Sequence, residues 1–246
     1  MLKKTEKGYW ILEKFASQEG LIHGFSTRKF GNLRARKSLA ENKNIGRFLK
    51  IFNLEKRDLT LMEQIHGDKI KVVAEDDKEE IIPGIDGMIC FQKGIILGVK
   101  VADCLPILFY DKEKKVIGIA HAGWKGTLKK IGPSIVKKMK LLGSKPKNIF
   151  VGIGPHIGDC CYTVSKKRAD KFEKEFGNLK GMICEDCEGI HLDLTVPTIV
   201  QLIKVGIPRA NIDFGLNCTS CQIDEFFSFR REKGSNGALL GVIGLV

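Results

Sequence analysis

Three apolar runs follow one another between residues 94 and 120, and their close succession restricts the fold more than anything else in the chain. The first, 94–101, ends in Ala102-Asp103-Cys104; the second, 105–110, follows at once; the third, 116–120, comes after a short charged stretch. Short runs rich in Ile, Val and Leu read as buried strands. No helix fits between them. Residues 70–73 and 149–153 read as further strands, and 226–230 and 238–246 as closing ones. Helical spacing runs over 125–142 through Leu128, Ile131, Ile135, Met139 and Leu142, with Pro133 either kinking that helix or marking its true start. Further helices are expected over 165–176, with Ser165 as N-cap, and over 197–205, ended by Gly206 and Pro208. Some strands thus alternate with helices while others are direct neighbours. That pattern predicts an α/β or α+β fold, with mixed β-sheets and helices packed outside. No linker rich in Pro, Gly or Ser interrupts the chain, so a single domain over 1–246 is expected. Residues 29–45 are polar and basic and read as a loop over the surface or over a site.

A chain of 246 residues buries about 70–75% of the surface its unfolded form exposes, so it needs neither disulfides nor a metal merely to fold. No apolar run reaches the roughly 18–20 residues that span a bilayer, and no apolar stretch follows the charged start, MLKKTEKGYW. A cytoplasmic location without a membrane partner is the expectation. The net charge is +12, but Lys is spread along the whole chain. Such a surface is solvated and attracts small anions such as phosphate. With few aromatics and no recognition signature, nucleic acid is not expected as a partner.

Eight cysteines in a cytosolic chain point to metal or catalysis before disulfides. Two groupings compete. Cys184-x-x-Cys187 and Cys218-x-x-Cys221 have zinc-ribbon form, but the pairs lie farther apart than the usual 15–20 residues. The adjacent Cys160 and Cys161 offer disulfide partners to either pair. The other grouping is His66, Cys104 and His121, each at the end of an apolar strand beside a turn. Two imidazoles and a thiolate suit Zn²⁺ and leave its fourth position open, as in catalytic sites. On spacing alone each of these reads more readily as a core residue, a hydrogen-bonded His or a small apolar Cys, than as a ligand.

Six motifs in fixed order change that balance. They are Gln64-Ile65-His66-Gly67, Pro83-Gly84-Ile85-Asp86-Gly87, Ala102-Asp103-Cys104-Leu105-Pro106, His121-Ala122-Gly123-Trp124-Lys125-Gly126, Gly154-Pro155-His156-Ile157 and Phe226-Phe227-Ser228-Phe229-Arg230-Arg231. Together they resemble the laccase-domain, or YfiH-like polyphenol oxidase, family, over nearly the whole chain. The resemblance implies an α/β domain of mixed sheets and a metal, zinc, held by His66, Cys104 and His121. It implies a purine nucleoside phosphorylase acting on adenosine, inosine, guanosine and methylthioadenosine, which also deaminates adenosine, with nucleosides and phosphate as partners. Copper and oxidation of phenols were the family's older description. The chain departs from the pattern at Ser38-Leu39-Ala40, at Thr163, at Thr198 and around Ala238. These changes bear on substrate choice and leave the metal ligands intact.

Zinc lowers the pKa of a bound water toward 7, and in zinc deaminases that water attacks the ring carbon carrying the amine. Phosphorolysis needs cationic donors for phosphate, and Arg28, Lys125 and Arg230 are the candidates, with surface ion pairs as the plain alternative. Asp103 is a candidate general base or a turn cap, and Gln64 a candidate for bonding a ligand or substrate. Two other readings use the same residues: a copper-dependent polyphenol oxidase, and a hydrolase editing peptidoglycan precursors with Cys104 as nucleophile. A multicopper cluster needs more His than the five present.

Overall fold

The computed structural model describes residues 1–35, 38–40, 42–234 and 237–246. In chain order its strands and α-helices are β1 (Leu2–Lys4), β2 (Trp10–Leu12), α1 (Glu13–Ala16), β3 (Leu21–Phe25), α2 (Lys43–Leu49), β4 (Leu59–Met62), β5 (Ile70–Val72), β6 (Ile81–Ile82), β7 (Gly87–Cys90), β8 (Ile96–Val101), β9 (Leu105–Asp111), β10 (Val116–Ala122), α3 (Trp124–Leu128), α4 (Ile131–Leu141), β11 (Ile149–Ile153), β12 (Thr163–Val164), α5 (Lys166–Phe176), β13 (Ile183–Asp186), β14 (Gly189–Leu192), α6 (Thr195–Lys204), β15 (Ile212–Phe214) and β16 (Leu239–Leu245). They form a seven-stranded sheet ordered β1-β2-β3-β16-β8-β4-β6, a six-stranded sheet ordered β15-β11-β9-β10-β7-β5, and a small sheet ordered β12-β14-β13. Both large sheets mix parallel and antiparallel pairs, so the fold is mixed α/β.

Side-chain alternation along β9 explains the layering. Leu108 and Tyr110 join a core with Leu97 and Val99 of β8 and Ile243 of β16, which lies between the large sheets. Ile107 and Phe109 point the other way, to Ile131, Ile135 and Met139 of α4 and Leu202 of α6. A third cluster packs Ile45, Phe48 and Leu49 of α2 onto Leu59, Leu61, Leu240 and Val242 of the seven-stranded sheet. Strands buried on both faces carry continuous apolar runs, which is why 94–120 reads so clearly. Burying each such side chain contributes about 1.5–3 kcal/mol.

Two expected elements differ. The helix over 125–142 is two helices, α3 and α4, separated at Lys130, which adopts a left-handed conformation (φ 62°, ψ 42°). Pro133 falls in the first turn of α4, where its missing N–H costs little. Residues 226–230 form an irregular stretch leading into a turn, not a closing strand. Side chains hold this segment in place: the Arg231 guanidinium donates to the Phe226 carbonyl and also to the Thr219 and Ser220 carbonyls of the preceding turn, and Asp103 accepts from the Arg230 amide. Residues 29–45, of which 36, 37 and 41 lie outside the described residues, do not merely cross the surface. Leu33 and Leu39 are fully buried, and the stretch ends in the start of α2.

Candidate metal centre

Strand register assembles the centre. β9 begins and β10 ends at paired residues, Leu105 opposite Ala122, so Cys104 and Gly123 flank the same sheet end, with His121 opposite Pro106. β7 pairs with β10 through Gly87 and Ala120, setting Asp86 beside His121. β5 pairs with β7 through Ile70 and Gly87, which brings the 65–67 turn to the same place. The segments after β4 and β8 both cross from the seven-stranded to the six-stranded sheet here.

The donor atoms of His66, Cys104 and His121 all lie within 4.8 Å of one another. Cys104 Sγ is 3.9 Å from His66 Nε2, and the two imidazoles meet edge to face at 4.8 Å between centroids. Gly123 leaves the room they need, because a Cβ there would lie 2.9 Å from Cys104 Sγ and 3.0 Å from His66 Cδ2. Asp86, fully buried, organises the rest. It accepts the His121 Nδ1 proton at 2.7 Å and the backbone amides of Ile65, His66 and Gly67. The first bond fixes the tautomer and leaves Nε2 for a metal. The three amide bonds hold His66 in a left-handed conformation (φ 59°), and Asp103, next to Cys104, is also left-handed (φ 88°). Non-glycine residues in this region cluster at functional sites, held by their surroundings.

Burial would raise the Cys104 thiol, but His121 and then His66 outweigh it and bring its pKa down to about 6. Burial would likewise lower His121, yet Cys104 and Asp86 raise it to about 9. The opposite shifts favour a thiolate beside an imidazolium, and a metal cation would replace the imidazolium proton. Two nitrogens and one sulfur form a donor set that suits zinc and also accepts copper. The other histidines are engaged elsewhere. His156 bonds the Gly154 carbonyl and the Thr195 hydroxyl, His191 bonds Asp159 and Asp186, and His23 accepts from the Leu12 amide.

The centre opens onto a cleft of about 790 Å³. Its walls carry four cations, Arg34, Lys100, Arg168 and Arg230, against the acidic Glu63 and Asp103, and three aromatic rings, Trp124, Tyr162 and Phe229. Burial, then the charge of Arg34, brings the Lys100 ammonium down to about 8. Arg168 stacks 4.5 Å from the Trp124 ring centroid and donates to the Tyr162 hydroxyl.

Of the residues singled out in the sequence, Asp103, Gln64 and Arg230 line the cleft with the three candidate metal donors. Their polar groups are already partnered. Asp103 accepts from the Thr219 hydroxyl and the Arg230 amide; Gln64 brackets the backbone of Lys100; the Arg230 guanidinium donates to Thr163 and to the Cys161 carbonyl. Arg28 is not among the lining residues: it pairs with Glu232 and lies over the Phe227 ring. Lys125 is exposed, over the Trp124 ring and outside the lining. Asp86, Arg34, Lys100 and Arg168 were not singled out, although the 83–87 motif contains Asp86. The CxxC pairs do not meet as a ribbon. Cys184 and Cys187 are exposed on the β13–β14 hairpin, whereas Cys218 and Cys221 gather with Cys160 and Cys161.

Residues 23–246 match the family model described as multi-copper polyphenol oxidoreductase laccase. Among curated proteins, the chain is 35% identical over 192 residues to purine nucleoside phosphorylase YlmD of Geobacillus stearothermophilus, covering 74% of this chain and 70% of that one. It is 31% identical over 183 residues to adenosine deaminase RL5 of an unknown prokaryotic organism, covering 71% and 70%. Among solved structures, Geobacillus stearothermophilus YlmD superposes with a TM-score of 0.88 at 28% identity, covering 99% of this chain and 98% of that one. Bacillus licheniformis YfiH gives 0.87 at 28%, covering 100% and 99%. The family-model match takes in the whole six-stranded sheet and every element that builds the centre, and the chain therefore belongs to the multi-copper polyphenol oxidoreductase laccase family.

Proposed function

We propose that this chain is a zinc-dependent purine nucleoside phosphorylase that also deaminates adenosine. The observation that carries this reading is the pairing of two features in one cleft: an open set of three metal donors, and a wall on which Arg34, Lys100 and Arg168 are suited to phosphate. The names of the two curated relatives, a phosphorylase and a deaminase, support the same pair of reactions. Adenosine, inosine, guanosine and methylthioadenosine are the proposed substrates, with phosphate as the second one.

His66, Cys104 and His121 would hold the ion. When bound, zinc supplies Lewis acidity at its open fourth position. The remaining work belongs to the protein. Asp86 keeps His121 in one tautomer and one orientation. Arg34, Lys100 and Arg168 attract and orient a phosphate, and each charge-assisted bond also offsets charge developing on its oxygens. Trp124, Tyr162 and Phe229 offer flat apolar faces to a purine. Asp103 holds the Thr219 and Arg230 segments against the cleft, which suits a positioning role better than proton transfer.

Elemental analysis and a paired assay test this. Zinc-loaded protein is expected to release adenine from adenosine only when phosphate is present, and to form inosine without it. Cys104→Ala is expected to lose the centre's zinc and both products together. The proposal fails if the zinc-loaded chain does neither, and doubly so if the copper-loaded chain oxidises phenols or the protein cleaves peptidoglycan precursors instead.

A further inference from the structure

Four cysteines outside the cleft converge without bonding to one another. Cys160 and Cys161 lie in the single 3-10 turn at 159–161 that follows β11, and Cys218 and Cys221 in the turn after β15. Backbone bonds bring the two turns together: the His156 amide donates to the Asn217 carbonyl, and the Thr219 amide to the His156 carbonyl. The Gly158 amide points at Cys218 Sγ at 3.3 Å. Cys221 Sγ stands 3.6 Å from Cys160 Sγ and 3.4 Å from Cys161 Sγ, and all four sulfurs lie within 4.8 Å of one another. All four are free thiols. A disulfide needs about 2.05 Å between sulfurs. Tetrahedral zinc with bonds of about 2.3 Å instead sets its sulfurs about 3.8 Å apart. A cluster of several irons would hold its ligands farther apart than a single ion does.

We propose that Cys160, Cys161, Cys218 and Cys221 bind one zinc ion as a closed tetrathiolate site, separate from the His66–Cys104–His121 centre. Four protein ligands leave no open position, so this ion is structural in type. Its place gives it a task. Tyr162 follows Cys161 directly and lines the cleft, and the Cys161 carbonyl accepts from the Arg230 guanidinium. Thr219, between the two later ligands, donates to Asp103 beside Cys104. The ion would therefore clamp two turns that together wall the cleft.

The full chain, purified under reducing conditions, loaded with zinc and dialysed against a weak chelator, separates the two sites by metal content. The wild type is expected to hold about two zinc ions per chain, and Cys104→Ser about one. Cobalt-exchanged Cys104→Ser, whose cysteine cluster is untouched, is expected to show the intense thiolate-to-cobalt absorption of an S4 site. Adding Cys218→Ser and Cys221→Ser to it is expected to abolish both. A Cys104→Ser protein that retains no zinc and gives no S4 spectrum overturns the proposal, since that variant does not disturb the cluster. So does an intact mass showing, under reducing purification, the hydrogen loss of disulfides at these cysteines. Failure of the phosphorylase reading leaves this zinc count unchanged, so the two proposals fail separately.

Discussion

At the scale of single residues, the centre depends on space as much as on ligands. The Gly123 backbone is ordinary, so its requirement is not conformational; what matters is the close approach of Cys104 and His66 to where a side chain would begin. Gly123→Ala is expected to leave the fold intact and to weaken zinc binding at the centre by at least 10-fold, the scale on which displaced outer groups act at metal sites. Competition with a chromophoric chelator measures this, and unchanged affinity would show that the ligands do not sit this close to residue 123. The three donors could be picked out because each stands inside a compact motif, and the structure brings their donor atoms within 4.8 Å of one another. Asp86 stood in a motif too, yet its role was not legible. Its four bonds depend on β5, β7 and β10 being neighbours, and no local pattern encodes that pairing. The cysteines show the same limit from the other side. CxxC spacing suggested that Cys184 and Cys187 would join Cys218 and Cys221, whereas the parallel contact of His156 with Cys218 brings in Cys160 and Cys161.

At the scale of elements, legibility followed burial. β8, β9 and β10 are enclosed on both faces, so their apolar runs announce them. Strands of two or three residues such as β1, β6 and β12 have too few positions to show a period. The break between α3 and α4 was hidden for a different reason: apolar spacing continues through Lys130, although the backbone there turns left-handed. A side chain in that conformation costs about 1–2 kcal/mol, and glycine avoids the cost. Lys130 also makes an exposed ion pair with Glu175, worth at most about 1 kcal/mol. Comparing Lys130→Gly with Lys130→Ala cancels the ion pair, since both lose it. The glycine variant is expected to be the more stable by about 1 kcal/mol. In a continuous helix the order reverses, because glycine costs about 1 kcal/mol relative to alanine. Urea denaturation of the two variants reads the sign directly.

At the scale of the whole molecule, two sheets share one core, and the chain crosses between them at the candidate metal centre. A buried titratable group in that same structure makes global stability depend on pH. His23 of β3 is 5% exposed, packs against Phe15, and accepts the Leu12 amide through Nε2. Burial is the main cause of a pKa lowered to about 4, and protonating Nε2 would also break the bond it accepts from the Leu12 amide. The folded state therefore favours neutral His23, while the unfolded chain takes up a proton near 6.5. Above about pH 6.5 both states are neutral and the full stability is present. As pH falls, the unfolded state binds the proton first, so stability drops until the folded state also titrates near 4. The difference of about 2.5 pKa units corresponds to about 3 kcal/mol over that window. Metal release would add its own acid sensitivity, since zinc needs neutral imidazole and thiolate. The comparison is therefore made on Cys104→Ser protein, with and without His23→Gln, whose amide oxygen can still accept from Leu12. Denaturant unfolding at pH 7 and pH 4.5 is expected to show the Gln variant losing about 2 kcal/mol less than its parent, since most of the His23 window lies between those values. Equal losses in the two proteins would mean that His23 is protonated as readily in the fold as in the unfolded chain.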